Sequence, residues 1–136
     1  MPKPIPVPDQ LSKPFWDAVN ERRLIIQNCS ACKRRQYPPE PTCVACGSAA
    51  NLEWIPTSGR GTIHGYTVMH DSRVRRLQPD MPFNIAVIEL EEDPEIKFFS
   101  NLPGTPVDQV PVGAKVEVTF VEASPEQLVH EWQVVQ

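Results

Sequence analysis

No segment of this 136-residue chain approaches the run of about eighteen apolar residues that a membrane-spanning helix needs. The first residues, Met1 to Pro8, also lack an apolar stretch of signal-peptide length, so a cytoplasmic protein that does not enter a membrane is expected. Glycine is scarce, with 6 residues against 16 prolines, and this disfavours long unbroken helices and favours strands and ordered loops. A surplus of basic charge is lacking too. The 13 basic and 17 acidic side chains leave a net charge of -4, which gives no surface-wide field for a phosphate backbone. General nucleic-acid binding is therefore disfavoured. Cysteines number 4, all between positions 29 and 46, and in a reducing compartment such a cluster reads as thiolate ligands rather than disulfide partners.

What is present describes a globular chain, with 40% hydrophobic and 22% charged residues. Its length suits a small metal-stapled module joined to a compact core. Residues 1–8 alternate proline with other residues and form an extended arm with no core of its own. Leu11, Phe15, Trp16 and Val19 then mark a helical stripe, and Ser12-Lys13-Pro14 a helix start, which predicts a short helix over about 12–22. Phe15 and Trp16 have two available roles, covering the chain's own core or docking on another subunit. Residues 24–27 and 52–55 read as strands on either side of the cysteines. Five further β-rich runs follow a glycine turn at 58–61, over 62–69, 83–90, 96–102, 115–120 and 128–135, with turns expected at Asp93-Pro94 and Pro111-Val112-Gly113. The expected fold is mainly β: an arm and helix (1–23), a four-cysteine ribbon (24–57) and a five-stranded Greek-key barrel of the OB type (58–136).

Cys29-Ser30-Ala31-Cys32 and Cys43-Val44-Ala45-Cys46 supply two C-x2-C turns whose thiolates can converge on one tetrahedral ion. Zinc is the first choice; iron in a rubredoxin-like site is the alternative. With every coordination position filled by protein, the ion has no place for a reactive water, so its role is structural. Lys33, Arg34 and Arg35 are expected to offset the thiolate charge, and Gly47 to let the backbone turn beside the sulfurs. Chelation is expected to unfold the N-terminal third before the barrel.

Little else in the sequence suggests catalysis. His64, His70 and His130 lie on separate segments, with no cysteine left over to serve as an activated nucleophile. The acidic run Glu89, Glu91, Glu92, Asp93 and Glu95 reads as a solvated rim at a hairpin turn. Tyr66, Phe83, Phe98, Phe99 and Phe120 offer aromatic surface of the kind that lets an OB barrel hold single-stranded nucleic acid, which is the alternative reading from a different class.

With the ribbon in place, the ordered set Pro14-Phe15-Trp16, Pro38-Pro39, Trp54-Ile55-Pro56, Ser58-Gly59-Arg60-Gly61-Thr62, Ser100-Asn101-Leu102 and Val112-Gly113-Ala114-Lys115-Val116 resembles the acyl-CoA-associated OB-fold proteins with a rubredoxin-like zinc ribbon, long called a domain of unknown function. The resemblance runs from about Pro14 to Phe120. It implies an accessory subunit that forms a hetero-oligomer with a thiolase-superfamily catalytic subunit (a thiolase, acyltransferase or acyl-CoA aldolase) and helps shape its acyl-CoA channel. Under that implication Phe15 and Trp16 contact the partner, and Arg73, Arg75 and Arg76 approach the phosphates of coenzyme A near the interface. The charged loop Asp71–Arg76 and the strand around Trp132 have no counterpart in the family pattern.

Overall fold

The computed structural model describes residues 3–135. Prolines at 4, 6 and 8 keep residues 3–9 free of helix and strand. The chain then turns into helix α1 (Lys13–Asn20) through a reciprocal clasp, in which the Ser12 N–H donates to Asp9 Oδ1 at 2.7 Å and the Asp9 N–H to Ser12 Oγ at 3.1 Å. Pro14 sits in the first turn, where a missing N–H costs nothing. The helix is shorter than its apolar stripe predicted because Arg22 takes a positive φ of 60°, a left-handed conformation that closes the last turn. Phe15, Ala18 and Val19, spaced i, i+3 and i+4, form its buried face.

The ribbon is a three-stranded antiparallel sheet in the order β2-β1-β3, built from β1 (Ile25–Cys29), β2 (Arg35–Gln36) and β3 (Leu52–Pro56). Strand β2 is a two-residue element with no foreshadowing in the sequence. The five remaining strands are β4 (Arg60–Met69), β5 (Phe83–Leu90), β6 (Asp93–Ser100), β7 (Lys115–Ser124) and β8 (Gln127–Val134), in the order β6-β5-β4-β7-β8. Three consecutive hairpin-linked strands, with the fourth returning beside the first, make a Greek key. The β5–β6 turn falls at Glu91–Glu92, two residues earlier than expected, and Asp93 already pairs with Leu90. A 3-10 helix, Arg75–Asp80, occupies the connection before β5.

The sheet curls into a half-barrel. Among the described residues no backbone ladder joins its edge strands β6 and β8; side chains fasten the seam. Ser100 Oγ accepts the Trp132 N–H at 2.8 Å and donates to Glu131 Oε2 at 2.8 Å, which also accepts the Asn101 N–H at 2.9 Å. This gives the Ser100-Asn101 pair a structural purpose. Inside, one hydrophobic cluster includes Phe15 from α1, Ile25 and Ile26 from β1, and Ile63, Ile88, Phe98 and Trp132 from the half-barrel. The apolar core therefore runs unbroken from the helix through the ribbon strand into the OB fold, a continuity not expected from a module stapled separately by metal.

Candidate metal centre and docking face

The metal centre is built by two matching turns. At the end of β1, the Lys33 N–H donates to the Cys29 carbonyl at 2.7 Å and the Cys29 N–H to the Arg34 carbonyl at 2.8 Å. In the second turn the Gly47 N–H donates to the Cys43 carbonyl at 2.9 Å and the Cys43 N–H to the Ser48 carbonyl at 2.9 Å. Each turn needs a left-handed residue just past its second cysteine. Gly47, as expected, supplies one with φ 77°, while Lys33 supplies the other with φ 67°.

The turns bring the sulfurs of Cys29, Cys32, Cys43 and Cys46 within 4.8 Å of one another. Cys29 and Cys46 are separated by 3.7 Å and Cys32 and Cys43 by 3.5 Å. A tetrahedral ion with metal–sulfur bonds of about 2.3 Å sets its ligands roughly 3.8 Å apart, so the donor set and its spacing fit a thiolate-bound metal. Backbone N–H groups aimed at the sulfurs prepare them for ligation. The Cys46 N–H, 3.5 Å from Cys43 Sγ, is the main cause that lowers the Cys43 thiol to about 6. The Cys32 N–H likewise lowers Cys29. At Cys32 the Arg34 N–H pulls downward, but the neighbouring sulfurs, Cys43 foremost, and burial push the thiol up to about 11. Cys29 and Cys43 are buried and Cys32 and Cys46 exposed. Among the described residues this is the only group of three or more histidine, cysteine or acidic side chains placed to share one ion.

A buried amide pair holds the loop between the turns. Gln27 Oε1 accepts from Gln36 Nε2 at 2.8 Å and from the Glu40 N–H at 2.9 Å, and Gln36 Oε1 accepts the Val44 N–H at 2.9 Å. Gln27 Nε2 donates to the Glu40 carbonyl and Gln36 Nε2 to the Thr42 carbonyl. Satisfied polar groups of this kind fix a loop that apolar packing alone would leave loose. Sequence reasoning missed them; two glutamines nine positions apart carry no signal until β1 and β2 pair.

Two of the basic residues beside the cysteines also make contacts that the sequence did not suggest. Arg34 reaches Glu95 at 2.7 Å and Arg35 the Glu92 carbonyl at 3.4 Å, tying the ribbon to the β5–β6 hairpin. The acidic run is accordingly more than a solvated rim. Glu92 accepts the Ser58 N–H at 2.8 Å, Glu91 pairs with Arg60 at 3.2 Å, and Glu89 pairs with His64 at 2.5 Å.

Phe15 and Trp16 part company. Phe15 is 2% exposed, its ring against Tyr37, Trp16 and His130, so it takes the covering role. Trp16 is half-buried and stacks on His130, with centroids 6.0 Å apart and planes at 19°. Burial among these rings depresses His130 to about 4, against a smaller upward pull from the Glu131 carboxylate. His64 and His70 are exposed and far from this cluster in the chain. Arg73, Arg75 and Arg76 are exposed, the last two opening the 3-10 helix. Of the aromatics proposed as a nucleic-acid platform, Phe98 is core, Phe83 and Phe120 are half-buried, and Tyr66 and Phe99 remain exposed.

A four-thiolate ribbon running into a curled Greek-key sheet defines a ribbon-plus-OB-fold protein. Residues 16–53 match the family described as ChsH2, rubredoxin-like zinc ribbon domain, and residues 54–121 the ChsH2, C-terminal OB-fold domain; the chain belongs to this family. The solved structure of an Ltp2-ChsH2(DUF35) aldolase superposes with a TM-score of 0.82 at 30% identity, covering 95% of this chain and 98% of that one. A probable enoyl-CoA hydratase alpha subunit of Thermomonospora curvata is 36% identical over 115 residues, 82% of this chain but only 34% of that protein. A DUF35 domain-containing scaffold protein of Methanocaldococcus jannaschii is 28% identical over 113 residues, 82% of this chain and 78% of its own length. The chain thus spans about a third of the hydratase subunit and most of the scaffold protein. No helix among the described residues is long and apolar enough to cross a membrane.

Proposed function

We propose that this chain is a non-catalytic cytoplasmic subunit that docks on a thiolase-like catalytic subunit, steadies the complex and supports acyl-CoA binding, with zinc as the ion of its ribbon. The observation that carries the reading is the whole-length likeness to the chain of an Ltp2-ChsH2(DUF35) aldolase. The thiol inventory supports it: all 4 cysteines are gathered in one cluster, so no free thiolate is left to act as nucleophile. Trp16, half-buried on helix α1, is the docking residue, with Phe15 setting its position from beneath. Arg73, Arg75 and Arg76 extend from the loop before β5 and suit the phosphates of coenzyme A. The four sulfurs hold zinc in preference to iron, and the metal's contribution is to fix the ribbon's fold.

Co-expression with thiolase-like subunits, followed by an acyl-CoA screen on the purified complex, tests the reading. Complex formation, with turnover confined to the complex, is the expected result. Turnover by the isolated chain, or an oligonucleotide shift that weakens with salt in place of subunit binding, would sink it.

A further inference from the structure

The N-terminal arm is fastened at Lys3, while most of residues 4–8 are exposed. Lys3 Nζ lies 2.7 Å from Glu131 Oε1 and donates to Asn101 Oδ1 at 2.6 Å; the two charged side chains are only 16% and 8% exposed. Glu131 is the carboxylate that also holds Ser100 and the Asn101 N–H at the barrel seam. Yet Ile5 is 58% exposed and Val7 92%. Between the arm and the barrel lies a hollow of about 350 Å3 walled by Pro4, Ile5, Pro6, Trp16 and Val129. An extended segment gains nothing from being pinned with its aliphatic side chains in water unless another surface covers them.

We propose that Lys3 is a positioning residue: its latch onto Glu131 presents the arm, together with Trp16, as one preformed docking surface for an uncharged, apolar groove on the catalytic subunit. This rests on the docking reading above. Three features select that partner chemistry. Lys3 and Glu131 neutralise each other, so the hollow offers no net charge to a charged side chain. Pro4, Pro6 and Pro8 have no N–H, so the arm cannot be extended as a regular β-ladder and must be read through Ile5 and Val7. Holding the arm straight before contact removes ordering entropy that a free arm would lose on docking.

The test uses the full chain, alone and with the thiolase-like subunit that co-purifies with it. In Lys3→Met, the backbone order parameters of Ile5 and Val7 in the isolated chain, read by NMR relaxation, should fall below about 0.6 and affinity for the subunit fall at least tenfold, while Lys3→Arg restores both. Lys3→Met combined with Glu131→Gln removes the unpaired buried carboxylate; its stability should recover while the arm stays loose. Val7→Asp should leave the order parameter of Ile5 unchanged and still weaken docking tenfold. Unchanged order parameters in Lys3→Met overturn the latch, and Val7→Asp binding like the natural chain overturns the docking role. A natural chain that binds no such subunit sinks the functional reading and the docking role with it, whereas the latch is still decided by relaxation in the isolated chain.

Discussion

Phe15 and Trp16 meet edge to face, centroids 5.0 Å apart and planes at 88°, and this right angle sends one ring into the core and leaves the other at the surface. On the proposed docking role of Trp16, the pair separates folding from docking within two adjacent positions. Phe15→Ala should cost about 3–5 kcal/mol of stability, as emptied aromatic core sites do, and leave the affinity of the folded fraction nearly unchanged. Trp16→Ala should weaken assembly by roughly 2 kcal/mol or more, with a smaller loss of stability. Thermal unfolding and titration with the catalytic subunit, run on both variants, check the two forecasts. Trp16→Ala with full affinity and a large drop in Tm would place that ring with Phe15 as a core residue.

Removing the metal should disturb more than the ribbon. Because Ile25 and Ile26 of β1 share one apolar cluster with Phe98 and Trp132, the ribbon cannot unravel without uncovering part of the half-barrel. Chelation, or Cys43→Ala, is expected to lower the Tm of a single cooperative transition, rather than melt the N-terminal third first. Calorimetry with and without chelator distinguishes the outcomes, and elemental analysis gives the metal's identity and stoichiometry.

Acid should weaken the fold through His130. Its folded-state pKa of about 4 lies below the ordinary 6.5, so between these values the unfolded chain binds more protons. Stability is therefore highest above about 6.5 and falls as pH drops toward 4. The full shift corresponds to roughly 3 kcal/mol at most. His130→Leu should lose this part of the pH dependence. The difference between the two chains' Tm values from pH 7 to 4 isolates it from protonation of the thiolates, which both share.

Two glycines of β4 should behave oppositely. A Cβ on Gly61 would lie 2.5 Å from the Glu89 carbonyl oxygen and 2.7 Å from Ile88 Cγ2, so Gly61→Ala forces β4 and β5 apart. A loss of about 1–3 kcal/mol is expected. Gly65, beside the bulge, has nothing within 4 Å of such an atom, and Gly65→Ala should be tolerated. Chemical denaturation of the two variants makes the comparison.

Legibility followed how locally each feature is determined. The cysteine turns were readable because tetrahedral ligation fixes both residue type and spacing. Strand β5 was readable to the residue from its aromatic and β-branched run, Phe83 to Leu90. Strand β2 was not, because two residues form a strand only when β1 offers a partner. The separate fates of Phe15 and Trp16 depend on His130 and Tyr37, which come from other elements, and adjacent positions on a helix say only that the rings diverge. The latch at Lys3 was hidden for the same reason: its acceptors, Asn101 and Glu131, are neighbours only once the sheet has curled.

Helix α1 rests on β8, which the ribosome makes much later. Asn20 Oδ1 accepts the Leu128 N–H at 2.8 Å across 108 positions of chain. At 5–20 residues per second a ribosome takes roughly 5–20 s to cover that distance. Throughout that interval the nascent helix has no β8 to receive Phe15, and Trp16 has no His130 to stack upon. A product truncated before β8 would expose both rings to chaperones and proteases. The core around Phe15 thus closes only once synthesis has passed through β8.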